Sequence, residues 1–121
     1  MIQWQAPKIY LHRGPVDFRK AINGLSLIVE QTMALSPFDP ALFVFCNKRR
    51  DKLKVLYWDH TGFCLWQKQL EKDKFKWPRK YQDDVVELTA EQFDWLLRGY
   101  DILQMQPHQV LQFGTQNTAV F

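Results

Sequence analysis

The sequence contains few cysteines and no long apolar run, and both shortages exclude whole classes of protein. Its 121 residues include two cysteines, Cys46 and Cys64, without Cys-x-x-Cys spacing, which excludes a disulfide-rich secreted scaffold. No stretch approaches the roughly 20 consecutive apolar residues that span a bilayer. The N-terminus lacks the charged and apolar regions of a signal peptide. We therefore expect a soluble, cytoplasmic protein with no membrane contact.

Side chains arranged for catalysis or metal binding are equally scarce. His12, His60 and His108 stand singly, with neither His-x-x-x-His nor His-x-Glu spacing, so nothing anchors a metal site. The chain has no phosphate-binding loop, no nucleophile elbow and no dinucleotide fingerprint. Asp59 precedes His60, but adjacent turn residues point apart and Asp-x-x-Gly is ordinary turn chemistry. We expect a protein that is not an enzyme and uses no metal and no cofactor.

The chain does contain enough apolar surface to fold, together with an uneven distribution of charge. Hydrophobic residues make up 46 % of the sequence and charged residues 24 %, outside the range of disordered proteins. Residues 48–80 hold eleven basic and four acidic side chains, whereas residues 81–121 hold one basic and six acidic. This split predicts a positive surface for phosphates or for an acidic protein patch, unless the two regions attract each other within the fold.

The spacing of apolar residues predicts an α+β fold. Three- and four-residue steps from Phe18 to Met33 indicate a long amphipathic helix with Asp17 as its N-cap. Its sheet-facing residues are expected to be Phe18, Ile22, Leu25 and Val29. Period-two alternation then predicts a small antiparallel β-meander of three to five strands, packed against one long and one short helix. Its segments are residues 42–46, 53–58 and 63–68, with 74–77 as a candidate further strand, and a short strand at 8–13 precedes the helix.

The short second helix follows the sheet. Thr89 and Gln92 form a capping box, and Gly99 lies near the end of a helix of about 10 residues. Its apolar stripe comprises Phe93, Leu96, Leu97 and Tyr100. We expect one α+β domain over residues 1–100 and a loosely ordered, glutamine-rich tail over residues 101–121. A middle strand would separate the two cysteines and disfavour a disulfide.

Basic residues interleaved with aromatics form the strongest candidate binding surface. They crowd the first hairpin of the meander and its end near Phe75 and Trp77, so the two groups are expected at one end of the sheet. Trp58 and Trp66 are predicted to fill core rather than to stack on bases. An equally weighted alternative for the basic residues is a solvated edge that prevents aggregation. The candidate nucleic-acid-binding residues are Arg19, Lys20, Lys48, Arg49, Arg50, Lys52, Lys54, Lys68, Lys72, Lys74, Lys76, Arg79 and Lys80.

Several ordered blocks resemble a known family. They are residues 14–25 (GPVDFRKAINGL), residues 37–38 (PF) with 42–59 (LFVFCNKRRDKLKVLYWD), residues 62–68 (GFCLWQK) and residues 75–78 (FKWP). In this order the blocks resemble the TnpB-type accessory proteins of insertion sequence 66 elements. The resemblance implies a bacterial mobile-element protein that assists transposition beside a separate Asp-Asp-Glu transposase and a second small accessory protein. It supplies no catalytic residues, and Gln69 stands where the family commonly has a basic residue.

The leading hypothesis is a non-catalytic accessory protein of DNA transposition. It would bind DNA through residues 48–54 and 68–80, with Arg13, Arg19 and Lys20 nearby. The alternative is a protein-interaction adaptor that binds the transposase or the second accessory protein without contacting DNA. Aromatic content and the acidic final third motivate this alternative. Homo-oligomerisation through an open sheet edge is compatible with either hypothesis.

Overall fold

A computed structural model describes residues 8–78 and 83–104 of the chain. The elements of these residues are β1 (Lys8–His12), α1 (Ile22–Gln31), β2 (Ala41–Cys46), β3 (Lys52–Trp58), β4 (Phe63–Gln69), β5 (Val85–Leu88) and α2 (Ala90–Leu97). Five strands and two helices in these residues confirm the predicted α+β class.

The strands form one mixed sheet in the order β4-β3-β2-β1-β5. β2, β3 and β4 are antiparallel neighbours, which confirms the predicted meander. β1 adds a parallel pairing with β2, and β5 pairs antiparallel with the other side of β1. The parallel pair arises because α1 returns the chain to the starting end of β1 before β2 begins, as a crossover connection must.

The last strand of the sheet lies later in the chain than the alternation predicted. Residues 74–77 form no strand, so that prediction is wrong. The backbone N–H of Phe75 donates to the carbonyl of Arg50, and Phe75 and Trp77 are buried in the core. The two aromatic residues alternate with lysines because one side of this segment packs on the core and the other faces solvent. The alternation does not reflect pairing with a neighbouring strand. Residues 85–88, which were not among the predicted strands, form β5.

Helix α1 begins at Ile22, several residues later than predicted, and Asp17 does not cap it. The Asp17 carboxylate accepts hydrogen bonds from the backbone and the side chain of Arg19 instead. This local contact holds the chain in a turn before the helix. Leu25 and Val29 of α1 are fully buried, which confirms that this face of the helix packs on the sheet.

Strand β2 lies in the middle of the sheet, and all six of its residues are buried. Alternate residues face different layers: Leu42, Val44 and Cys46 join the cluster that contains α2, whereas Ala41, Phe43 and Phe45 join the cluster that contains α1. Because helices cover both faces of the sheet, a strand in its centre is apolar at every position.

The two cysteines lie on β2 and β4 with β3 between them, as predicted, and both are free. Burial raises the pKa of the Cys46 thiol to about 12. Cys46 is therefore a small core residue rather than a reactive thiol.

Helix α2 starts with the predicted capping box. The Thr89 hydroxyl accepts a hydrogen bond from the backbone N–H of Gln92 at 3.0 Å, and the Gln92 side chain accepts one from Thr89 N–H at 2.9 Å. The helix ends at Leu97, and Gly99 has a φ of 88°. This left-handed conformation, which favours glycine, turns the chain away from the helix axis.

That turn changes the composition of the apolar stripe. Tyr100 was predicted to belong to it but is 48 % exposed, since it follows the reversal at Gly99. Trp95 is buried in the core instead, and Ile102 extends the core beyond residue 100. Residues 105–121 of the predicted tail lie outside the described residues. Neither α1 nor α2 has the length and apolarity needed to cross a membrane.

The capping box gives a first prediction. We expect Thr89→Ala to lower the free energy of unfolding by about 1 kcal/mol, because the substitution leaves a helix N–H group without its acceptor. Urea denaturation followed by circular dichroism measures the change. Thr89→Ser, which keeps the hydroxyl, serves as control, and equal denaturation midpoints for the two variants would contradict the assignment.

Candidate nucleic-acid interface

One end of the sheet brings the basic segments together. Because β1 and β2 are parallel, both strands finish at this end, where the β2–β3 hairpin also turns and β4 finishes. Helix α1 starts here as well. We call this region the basic end; it comprises residues 13–20, 47–52 and 70–76.

The β2–β3 hairpin holds its basic tip in a well-bonded turn. The Asn47 side chain accepts from the backbone N–H of Lys52 at 3.1 Å and donates to the Asp51 carboxylate at 2.7 Å. The second bond lowers the pKa of Asp51, so this carboxylate stays ionised and tied to the turn. Arg50 closes the turn with a φ of 63° and its N–H bonded to the carbonyl of Asn47. The exposed residues of the tip are Lys48 and Arg49.

The loop after β1 lies beside this hairpin and forms a groove with it. The backbone N–H of Val16 donates to the carbonyl of Cys46 at 2.9 Å, which fixes the loop against the end of β2. The groove has a volume of about 590 Å³. Pro15, Val16 and Phe18 supply apolar walls, and Lys48, Arg49 and Lys52 supply positive charge. The groove also contains the Asp17 carboxylate, whose charge is offset by Arg19. An anionic ligand with an apolar part, such as a nucleotide unit, fits this combination.

Lys54 was predicted to bind nucleic acid, but its side chain points into the fold. The residue is only 7 % exposed. Its ammonium donates to the carbonyls of Phe18 at 3.0 Å and Lys20 at 2.9 Å, and lies 4.6 Å from the centre of the Phe18 ring. Burial lowers its pKa. Lys54 therefore anchors the loop that carries Arg19 and Lys20 to the sheet.

The two arginines of the 13–20 loop have carboxylate neighbours. Arg19 is almost fully exposed, with two of its nitrogens bonded to the Asp17 carboxylate at 2.6–3.1 Å. This fork lowers the pKa of Asp17 to about 2. Arg13 donates to the carbonyl of Asp83 and to the Asp84 carboxylate. A phosphate at either arginine must therefore compete with a carboxylate, whereas Lys20 is simply exposed.

The second basic group lies on the other side of the hairpin. The backbone N–H of Leu70 donates to the carbonyl of Asp51 at 2.8 Å, so the segment after β4 is held against the turn. The exposed lysines of this segment are Lys72, Lys74 and Lys76, the last of them 3.7 Å from the Asp73 carboxylate. Arg50, Lys74 and Lys76 line a further cleft of about 350 Å³. Arg79 and Lys80 lie outside the described residues.

Lys68 is half-buried and serves the fold as well. Its ammonium donates to the carbonyl of Leu97 at 2.9 Å, at the last residue of α2. A cation at this position satisfies a helix carbonyl and complements the helix dipole. The structure thus brings the hairpin cations and residues 72–76 together at the basic end and turns Lys54 and Lys68 inward.

The start of α1 adds positive potential to the basic end, and it lies later in the chain than the start predicted at Asp17. No side chain caps the helix, and its first turn contains no acidic residue. The free N–H groups of that turn therefore face the basic end next to Lys20. One sequence signal pointed this way: Lys20, rather than Glu or Gln, stands three residues after Asp17, so no capping box begins at Asp17.

Three aromatic rings form a surface cluster at the opposite end of the sheet. Phe38, Trp58 and Phe63 contact one another with centroid distances of 5.0–5.3 Å. Phe38 is 56 % exposed, and the other two rings are half-buried. Trp58 was predicted to fill core but belongs to this cluster, whereas Trp66 packs against the core on the α2 side.

Local hydrogen bonds hold an acidic side chain at each end of the sheet. Asp17 is bonded to Arg19, and Asp59 accepts from the N–H groups of Thr61 at 3.2 Å and Gly62 at 3.1 Å. This confirms Asp59 as a turn residue. Across residues 8–78 and 83–104, no three His, Cys, Asp or Glu side chains are placed to hold a metal ion.

Comparison with known proteins gives a family and two relatives. The model of the IS66 Orf2-like protein family matches residues 7–107. The uncharacterized protein y4jC of Sinorhizobium fredii is 37 % identical over 94 residues, which cover 78 % of this chain and 80 % of that protein. The uncharacterized protein y4hO of the same organism is 32 % identical over 97 residues, covering 80 % and 84 %. No solved structure matches the chain.

The Asp17–Arg19 fork gives a prediction about pH. We expect Arg19→Ala to raise the pKa of Asp17 from about 2 toward the ordinary aspartate value of 3.8, because the mutation removes the main hydrogen bonds to the ionised form. Since the folded-state pKa is below the unfolded one, the fork favours the folded state above pH 3.8, and this contribution is lost as the pH falls toward 2. Carboxyl NMR titration measures the shift.

Arg13→Ala is the matched control for this titration. It removes an arginine from the same loop but leaves the Asp17 contacts intact, so the Asp17 pKa should stay near 2. An unchanged Asp17 pKa in Arg19→Ala would show that the fork does not persist in solution.

Proposed function

The chain belongs to the family of IS66 Orf2-like proteins, and we propose that it is a non-catalytic accessory protein of DNA transposition that binds DNA through its basic end. The family match confirms the resemblance seen in the sequence and connects the chain to an insertion sequence. One observation carries the DNA-binding part of the proposal: the fixed β2–β3 hairpin presents Lys48 and Arg49 at its tip, with further exposed lysines on either side.

The shape of the basic end suits a duplex. β2 and β3 lie inside the five-stranded sheet, so the part of the hairpin that projects is its turn. The turn presents Lys48 and Arg49, which would contact the phosphates along a groove of B-form DNA. Lys20 on one side of it and Lys72 and Lys74 on the other would then reach phosphates along the groove edges. Such contacts position a protein on DNA without reading its sequence. We therefore expect affinity that depends strongly on salt and weakly on sequence.

Two of the originally predicted contacts drop out of the proposed interface. Lys54 and Lys68 donate to backbone carbonyls within the fold, and removing a buried ammonium from such partners carries a desolvation cost. Arg19 would contribute less than its exposure suggests, because Asp17 offsets its charge. Within the described residues, the proposed contacts are Lys20, Lys48, Arg49, Arg50, Lys52, Lys72, Lys74 and Lys76, with a weaker contact from Arg19.

Charge reversal at the hairpin tip tests the proposal. We expect Arg49→Glu to weaken binding to every duplex alike, by about tenfold, because one phosphate contact is lost. The negative slope of log K against log salt should become less steep by about 1. Fluorescence anisotropy with two labelled duplexes, one with the terminal inverted repeat of the element and one scrambled, measures both quantities across a salt series.

Lys8→Glu is the matched control, since it changes the net charge equally at a half-exposed side chain on the opposite end of the sheet. Equal loss of affinity in the two variants would mean that net charge alone drives binding. An affinity unchanged in Arg49→Glu would overturn the proposed surface.

The aromatic cluster favours a second candidate function, that of an adaptor for the transposase or the second accessory protein. Exposed aromatic rings are enriched in the centres of protein interfaces, and Phe38 is 56 % exposed. Asp39 and Asp59 lie next to the cluster in the chain and are exposed. This combination suits a partner segment with an apolar side chain beside basic residues.

The adaptor function gives its own prediction. We expect Phe38→Ala to abolish co-purification of the transposase of the element in the presence of nuclease, because it removes the exposed ring of the cluster. Leu27→Ala, which truncates an apolar side chain of similar exposure on α1, is the control. Capture that survives Phe38→Ala, or that disappears with nuclease in the wild type, would count against the adaptor function.

A further inference from the structure

The two edges of the sheet differ in how they are protected from other strands. β5 forms one edge; it has four residues, includes Glu87 and follows Asp83 and Asp84. Short length and charge are the usual protection of an edge strand. β4 forms the other edge, with seven residues and no proline, and it pairs with β3 along its entire length without a bulge.

The hydrogen-bonding groups of β4 that face outward can be identified from the ladder with β3. The N–H of Asp59 donates to the carbonyl of Gly62, and the N–H of Leu70 donates to the carbonyl of Asp51. In an antiparallel ladder, residue pairs that exchange hydrogen bonds alternate with pairs that do not, and both of these bonds belong to the bonded set. The N–H and C=O groups of the residues in between, every second residue of β4, therefore point away from β3. These residues are Phe63, Leu65, Gln67 and Gln69. No backbone group elsewhere in residues 8–78 and 83–104 bonds to them.

Charge does not protect this edge either. Lys68 is the one charged residue of β4, and its ammonium is turned over the α2 face to the carbonyl of Leu97 at 2.9 Å. Gln67 and Gln69 are exposed but uncharged. A long, unbulged and uncharged edge favours the addition of another strand.

We propose that two copies of this chain pair antiparallel through β4 and form a two-fold dimer with one continuous sheet. The outward groups belong to odd-numbered residues, so these must pair with each other. If all seven residues of β4 take part in the pairing, the two-fold axis passes through its central residue, Trp66. Phe63 then lies opposite Gln69 of the second copy, Leu65 opposite Gln67, and Cys64 opposite Lys68.

This register is self-complementary in chemistry as well as in geometry. Trp66 faces Trp66 of the second copy at a position without direct hydrogen bonds, where side chains approach most closely and aromatic pairs stabilise a sheet. No charge lies directly opposite a like charge. The assembly stops at two copies, because both outer strands of the combined sheet are then β5, the protected edge.

The dimer has a consequence that rests on the proposed function. Because the paired β4 strands run in opposite directions, the basic ends of the two copies point away from each other. A dimer would therefore bind two DNA segments at once. The tests below report on pairing without DNA, so a dimer that ignores DNA would contradict only the proposed function, and a DNA-binding monomer only the dimer.

Removal of one outward N–H group tests the pairing. Light scattering and sedimentation equilibrium of the full chain should give twice the monomer mass. Gln67→Pro should raise the dimer dissociation constant at least about tenfold, because each copy loses a bond between chains while the ladder to β3 keeps all of its own. Gln67→Thr keeps the N–H and should remain dimeric, and circular dichroism confirms folding of both variants.

A designed disulfide tests the register even if Gln67→Pro fails to fold. Lys68→Cys places a thiol opposite native Cys64 of the second copy, at a Cα separation of about 4.5 Å that a disulfide can bridge. Within one chain the two residues are about 13 Å apart along the strand. Mild oxidation with diamide should therefore give a covalent dimer in Lys68→Cys but not in Gln67→Cys, whose side chain lies on the other face.

Three results would overturn the proposal. The first is a wild-type chain that is monomeric at all concentrations. If a chain shortened by residues 105–121 then dimerises, the β4 edge would be assigned to that segment and not to a second copy. The second is a dimer unaffected by Gln67→Pro. The third is equal cross-linking of Lys68→Cys and Gln67→Cys.

Discussion

β1 lies beside β2 and parallel to it, and this pairing determines which loops of the molecule meet. The loop after β1 emerges next to the β2–β3 hairpin, where Val16 bonds to the end of β2. An antiparallel β1 would deliver the same loop to the other end of the sheet. It would then lie beside the Phe38 cluster, the three rings of Phe38, Trp58 and Phe63. Helix α1, which connects the parallel strands, covers one face of the sheet and α2 covers the other, which is why β2 is buried throughout. The basic end and the core thus depend on one pairing.

Burial then decides which of the clustered cations are available. Lys52 and Lys54 are two residues apart on the same face of β3, yet Lys52 lines the groove and Lys54 lies beneath the 18–20 loop with its ammonium on two carbonyls. The internal lysine has a use at the surface, because it fixes the loop from which Lys20 projects. Lys68 similarly binds the end of α2. Buried and exposed lysines therefore contribute to the same surface in different ways.

The described part of the chain presents three surfaces with different chemistry. The basic end suits phosphates, the Phe38 cluster suits an apolar protein segment, and the β4 edge offers backbone hydrogen bonds to another strand. They lie at the two ends and at one side of the same sheet and are separate except for Phe63, which belongs to both the Phe38 cluster and the β4 edge. This separation suits a small accessory protein that acts with several components of a mobile element.

Features that depend on neighbouring residues can be read from the sequence alone. The hairpin around residues 47–52, the meander, the Thr89 capping box and the basic block were all predictable, because turn residues, alternation and charge are local properties. The partner of β1, the pairing of β5 and the late start of α1 follow from the three-dimensional packing instead. They depend on contacts between distant segments, such as the bond between Arg13 N–H and the carbonyl of Asp84. For the same reason the sequence showed which residues carry charge, but only the packed layers decided which of those charges reach solvent.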